Sequence, residues 1–169
     1  MANFIFLDID GVMNNRRDWM SKVDNKSEQF HGHRMFCDEA WQLLSDMCRK
    51  VNASVILSSS WRIGFLNNNG IIQVKNKDCD LSTKLLEYFN KYNIRLIGLT
   101  KSHYTFRGLE ITEYIGKHFK YGDKWIVLDD ESTGIDGVIP SWGLFIKTEF
   151  ETGLLPEHCE KIIKYFMED

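Results

Sequence analysis

The sequence predicts an α/β domain: an open, mostly parallel sheet with helices on both faces. Three observations lead there. Short runs of large apolar residues recur along the 169-residue chain, stretches of helical period separate them, and three of the runs end in acids or serines. A run without polar alternation has no solvent face, as in a strand buried on both sides, and strands that alternate with helices are joined by the crossovers a parallel sheet needs.

Asn3 to Leu7 opens the sheet, because Phe4 to Leu7 are all large and apolar. Residues 14–36, "NNRRDWMSKVDNKSEQFHGHRMF", hold no steady period and read as an irregular flap or rudimentary cap. In "DEAWQLLSDMCRKV", Ala40, Leu43, Leu44, Met47 and Val51 share one helical face behind an acidic first turn. "ASVILSS" follows as the second buried strand, and residues 64–80, rich in Asn, Lys and Gly, read as a polar loop. Leu85, Leu86, Phe89 and Tyr92 mark a helix that Asp80 or Ser82 would cap, and "IRLIGLT" is the third strand. Ile111, Ile115 and Phe119 line a helix starting near Arg107, "KWIVLDD" and "GLFIKT" are the fourth and fifth strands, and Pro156 opens a terminal helix through Cys159, Ile162, Ile163 and Phe166.

The length suits a single domain over residues 1–169 with a full core. The apolar runs are strand-sized, and no basic region followed by a long apolar segment stands after Met1, so neither a membrane nor an exported protein is expected. Cys37, Cys48, Cys79 and Cys159 lack paired spacing and read as reduced structural thiols of a cytoplasmic protein. A net charge of -3 excludes a globally basic nucleic-acid footprint, which leaves any polynucleotide contact to a local patch.

In parallel sheets the ligand site lies beyond the carboxyl ends of the strands. The first strand brings Asp8 and Asp10 to that rim, the second Ser58 and Ser59, the fourth Asp129 and Asp130, and Arg107 opens the helix before the last pair. Four carboxylates at one rim resist joint ionisation unless a cation neutralises them. An all-oxygen set favours a hard ion, and Mg2+ takes a few carboxylates and completes its shell with water and substrate phosphate. The Ser58 and Ser59 hydroxyls and the Arg107 guanidinium are the donors for phosphoryl oxygens. One aspartate can attack phosphorus to give an aspartyl phosphate while a second protonates the leaving oxygen and then activates water.

"FLDIDGV", "VILSSSW", Arg107 in "FRGLEI" and "IVLDDE" resemble, in order, the four motifs of the haloacid dehalogenase (HAD) superfamily. The resemblance implies a HAD-like, Rossmann-like three-layer sandwich. It implies Asp8 as nucleophile and Asp10 as acid/base, with Mg2+ held by the Asp8 side chain, the Asp10 backbone carbonyl and the Asp129/Asp130 pair. Ser58 takes the phosphate-binding hydroxyl role and Arg107 the basic role; the family more often has lysine there, and Lys101 is the alternative. An aspartate at the position of Asp10 goes with phosphohydrolases in that superfamily, whereas dehalogenases lack it.

Each motif has a plainer reading. D-x-D-G and "LDD" are ordinary turns after strands, and a calcium loop does not fit because Val12 and Met13 stand where further ligands belong. "SSSWR" reads as a loop with Trp61 on the core and Arg62 as a surface salt-bridge partner or second phosphate contact. Arg107 and Glu110 are otherwise charges on an exposed helix start. His31 and His33 lack the further ligands of a metal site. Arg16, Arg17, Lys22, Lys26 and Arg34, interleaved with Trp19, Phe30 and Phe36, read either as a solvated loop anchored by aromatics or as a nucleic-acid contact surface, diluted by Asp18, Asp24 and Glu28.

Residues 14–36 are too short for a folded cap, and the second cap position holds little beyond the 64–80 loop, so an open site is expected. An open site suits a phosphorylated nucleic-acid end or nucleotide, since a small metabolite gains from enclosure. "LSSSWR" and "LDDE" are similar to the small HAD domains of RNA-repair and polynucleotide phosphatase enzymes. The sequence therefore predicts a Mg2+-dependent phosphatase of such substrates, with phosphatases of small metabolites or phosphoproteins as alternatives. A signalling receiver domain would need an aspartate after the third strand, which ends in "GLT"; a non-catalytic binding module is the other reading, against which both Asp8 and Asp10 stand.

Overall fold

The computed structural model describes residues 1–16, 36–76, 80–102, 106–135, 137 and 143–168. Residues 17–35 of the expected flap, with both of its histidines, lie outside the described residues, as does Cys79. The elements run β1 (Asn3–Leu7), α1 (Asp38–Val51), β2 (Ala53–Leu57), β3 (Phe65–Asn68), β4 (Ile71–Val74), α2 (Asp80–Lys91), β5 (Leu96–Leu99), α3 (Arg107–His118), β6 (Lys124–Asp129), β7 (Leu144–Lys147) and α4 (Pro156–Met167). A short 3-10 turn, Ser60–Gly64, follows β2.

Five strands form one sheet in the order β5-β2-β1-β6-β7, and every pairing is parallel. The central strand explains why sequence pattern sufficed here. Ile5 and Leu7 join one apolar cluster with Trp41 and Leu44 of α1, Leu85 and Phe89 of α2, and Ile162 and Phe166 of α4. Phe6 points the other way, into a cluster with Ile111 and Ile115 of α3. A run of apolar residues without alternation is what a strand between two helical layers requires. The result is a three-layer sandwich with α1, α2 and α4 on one face and α3 on the other.

Local signals set the helix ends. α1 starts after Cys37, whose sulfur accepts the Ala40 N–H at 3.5 Å, and ends at Asn52 in a left-handed conformation (φ 50°). Pro156 stands at the start of α4, where its missing N–H costs no helical hydrogen bond. Asp80 or Ser82 is the expected cap of α2; Asp80 is instead its first residue and Ser82 its third.

The stretch expected to be a polar loop over 64–80 is instead a two-stranded hairpin, β3 antiparallel to β4, with Asn68 opposite Ile71. Asn69 and Gly70 between them both have positive φ, 54° and 86°, as a type I′ turn requires. The strands are four residues long and mostly exposed; Ile72 and Val74 turn to the core, but exposed Ile71 beside them hides that alternation in the sequence.

From β1 the chain winds through β2 to β5 on one side, then returns by α3 to β6 on the other side of β1. The winding direction reverses between β1 and β6, the place where open α/β sheets bind ligands. Asp8 follows β1 and Asp129 ends β6 at that switch point.

Candidate active site

Backbone geometry delivers the first carboxylates. The ladder continues past β1, with the Asp8 N–H donating to the Leu128 carbonyl at 2.9 Å, so Asp8 leaves the sheet beside β6 as a buried residue. The chain then coils tightly: the N–H groups of Val12, Met13 and Asn14 all reach the Ile9 carbonyl. Gly11 allows this through its φ of +70°, and a Cβ there would collide with the Asp130 carboxylate. Close approach to Asp130 thus explains the glycine of "DIDGV".

Asp8, Asp129 and Asp130 each offer a carboxylate oxygen within 4.8 Å of the others. Arg107, at the start of α3, ion-pairs with Asp8 at 2.9 Å and donates to Asp129. Asp129 also accepts the Glu131 N–H at 3.0 Å. Among the described residues one ion-paired cation stands against these three acids, which leaves the cluster short of positive charge. Burial pushes the Asp8 carboxyl up to about 7, with Arg107 opposing and Asp129 reinforcing the rise. Burial raises Asp129 and Asp130 as well. The geometry and the donor chemistry fit a hard metal ion.

Asp10 sits beside this cluster with different partners. Its Oδ1 accepts the Asn14 amide at 2.9 Å and its Oδ2 accepts the Trp61 indole N–H at 3.1 Å. Beyond β2, Ser58 and Ser59 are both buried. The Ser59 hydroxyl interacts with the Asp8 carboxylate and accepts the Trp61 backbone N–H at 3.4 Å; the Ser58 hydroxyl accepts from Thr100 at 3.4 Å. A cleft of about 260 Å³ opens beside Arg107, lined by Ser60, Arg62, Ile63, Ser102 and Thr133 among others.

An acidic trio at the switch point, a serine from β2 and an arginine from α3 are what the four sequence motifs brought together. A family model described as the HAD domain in Swiss Army Knife RNA repair proteins matches residues 4–159. The chain belongs to this family. No curated protein and no solved structure matches it.

Within this HAD domain the expected site residues divide by place. Asp8, Asp129, Asp130 and Arg107 meet; Asp10 and Ser59 adjoin them; Ser58 turns toward Thr100. Lys101, the alternative to Arg107, is exposed and pairs with Glu113 at 3.4 Å. Two expectations need correction. Arg62 is a salt-bridge partner but not a surface one: it is 8% exposed and paired with Glu110, itself 3% exposed rather than on an open helix face. Trp61 does pack on Phe36, ring centroids 5.4 Å apart, yet its N–H serves Asp10. Sequence reasoning missed Asn14 and Trp61 as neighbours of the acid/base candidate. The signal was their place, each just past a motif strand.

Among the described residues no helix is long and apolar enough to cross a membrane.

Proposed function

We propose that this HAD domain is a Mg2+-dependent phosphatase acting on phosphorylated nucleic-acid ends or nucleotides through an aspartyl phosphate. The observation that carries the reading is the trio of carboxylates, Asp8 and Asp129 buried and Asp130 half-buried, with Arg107 wedged among them, a site short of positive charge among the described residues and lying where phosphate would enter. Membership in a family of RNA-repair HAD domains supports nucleic-acid ends as the substrate class. The cleft beside Arg107 leaves room for the part of the substrate beyond its phosphate. A reducing, cytoplasmic setting belongs to the same reading, since Cys48 and Cys159 are buried thiols outside any disulfide.

Mg2+ would be held by the Asp8, Asp129 and Asp130 carboxylates with the Asp10 backbone carbonyl, and when bound it supplies charge neutralisation for the acids and the phosphoryl oxygens. Asp8 is the nucleophile: buried and turned to the rim, it has an oxygen to direct at phosphorus. Asp10 donates the proton to the leaving oxygen and afterwards takes one from water. Arg107 and the serine hydroxyls orient and neutralise the phosphoryl oxygens.

The test is phosphate release from a 3'-phosphorylated oligonucleotide, a 5'-phosphorylated one and mixed nucleoside monophosphates, each with Mg2+. Turnover that Asp8→Asn abolishes and chelation stops is expected. Preference for small phosphomonoesters or phosphopeptides over both oligonucleotides would replace the substrate class, and no release from any substrate would favour a binding module.

A further inference from the structure

We infer that Trp61 and Asn14 are positioning residues for Asp10, fixing the plane of its carboxylate so that it exchanges protons with the leaving oxygen; this rests on the phosphatase reading above.

The terminal torsion of an aspartate is broad and roughly two-fold, so one hydrogen bond leaves the carboxylate plane free to swing. Here both oxygens are engaged, Oδ1 by Asn14 and Oδ2 by Trp61. Neither donor is loosely held. The Asn14 side chain cannot flip without loss, because its carbonyl oxygen accepts the Gly11 N–H at 3.1 Å while its amide faces Asp10. Asn14 is itself buried.

Trp61 is mounted from three directions. Its ring packs on Phe36, which in turn packs on Trp41 and Tyr88 with centroids 5.6 and 4.8 Å away. Its backbone N–H donates to Ser59 Oγ within the 3-10 turn. The next residue, Arg62, is tied to the Ser59 carbonyl at 2.6 Å and to Glu110 on α3. An indole N–H donates only, so Trp61 takes no part in moving protons. A carboxylate has about four lone-pair directions, and these two donors take one on each oxygen.

The chemistry makes orientation matter in one step more than the other. When the bond from Asp8 to phosphorus forms, the bond from phosphorus to the leaving oxygen breaks, and its electron pair stays on that oxygen. A proton from the Asp10 carboxyl joins the same oxygen, giving a neutral alcohol. Water oxygen then bonds to phosphorus as the Asp8 oxygen departs with its pair, and the proton lost by water returns to Asp10. Net, one ester and one water give one alcohol and one phosphate. A nucleotide oxygen is a poor leaving group and needs the proton as it departs, whereas 4-nitrophenolate leaves without one. Positioning of Asp10 therefore shows itself as dependence on the leaving group.

The experiment compares kcat/KM for a 3'-phosphorylated oligonucleotide and for 4-nitrophenyl phosphate in the unaltered protein, in Trp61→Phe, and in both again on an Asp10→Asn background. Phenylalanine keeps the ring against Phe36 and removes the N–H. The expected result is a loss of roughly tenfold on the oligonucleotide, the rate equivalent of one ordinary hydrogen bond, with less than about threefold on the aryl ester. On the Asp10→Asn background, Trp61→Phe should change neither by more than about twofold. If Trp61→Phe does not fold, Asn14→Leu is read in the same way, because it removes the donor to the other oxygen. Equal losses on the two substrates, no loss on the oligonucleotide, or the same loss on the Asp10→Asn background would overturn the inference and leave Trp61 a packing residue. Failure of the underlying phosphatase reading looks different: turnover that survives Asp8→Asn, or none at all in the unaltered protein, which overturns both.

Discussion

Arg62 and Arg107 both extend into buried carboxylates, and the contrast between them separates scaffold from site. Arg62 is nearly sealed from solvent and meets one acid, Glu110, with a further bond to the Ser59 carbonyl. Its charge is balanced one to one, and the pair joins the 3-10 turn after β2 to α3. Arg107, on the cleft that Arg62 and Glu110 also line, is 26% exposed and faces two acids of a group of three. Burial acts against the charge of both. It leaves Arg62 below the ordinary guanidinium range, whereas for Arg107 Asp8 and Asp129 outweigh it and hold the group above. A pair matched in charge has no call for a further ion; an unbalanced cluster with an open side is built to receive something.

Four measurements would break or sharpen that contrast. Arg107→Ala should lower phosphate release by about 10²–10³-fold, the typical cost of one preorganised donor at a developing charge, with the fold retained. An unaffected rate would place Arg107 with Arg62 as scaffold.

Glu110→Ala should lower unfolding stability by roughly 3–5 kcal/mol in urea denaturation, because Arg62 is then left buried and unpaired. Arg62→Met combined with Glu110→Leu should restore most of that loss. The native pair is not fully satisfied, since Arg62 Nε has no partner among the described residues.

The acid cluster predicts a pH dependence of opposite sense to that of a salt-bridged aspartate. The Asp8 carboxyl is raised from 3.8 to about 7, so the folded state favours its protonated form. That contribution is fully present below pH 3.8 and is lost as pH rises through about 7. The metal-free protein should lose stability over that window, and Asp8→Asn should flatten the loss. Mg2+ at a hundred times its Kd should add about 2.7 kcal/mol at pH 8, and less at pH 5, where protons compete for the same oxygens. Thermal unfolding with and without the ion at the two pH values reads this directly.

The smallest effect is expected at Lys101. Its exposed pair with Glu113 is screened by solvent, so Lys101→Ala should leave the urea midpoint unchanged and phosphate release within about twofold. A large loss of activity there would return the basic role to lysine.

Much of the fold was legible in the chain, because buried strands and amphipathic helices are local patterns. β1 and α1 begin and end where their apolar residues say, and the acids at the ends of β1 and β6 could be read straight from the sequence. The hairpin over residues 65–74 was less legible. Its strands are short and exposed, so the usable signal was the single Asn69-Gly70 pair rather than any period.

The sequence by itself determined the parallel α/β architecture, the family, and the arrival of Asp8, Asp10, Asp129 and Asp130 at one rim, since strand direction alone sends every strand end to the same side. Only the tertiary structure decided who meets whom there. Trp61 reaches Asp10 across 51 residues and Arg62 reaches Glu110 across 48. Such pairings depend on sheet register, on the turn after β2 and on how α3 crosses the sheet. None of these is a property of neighbouring residues, so no local pattern in the chain encodes them.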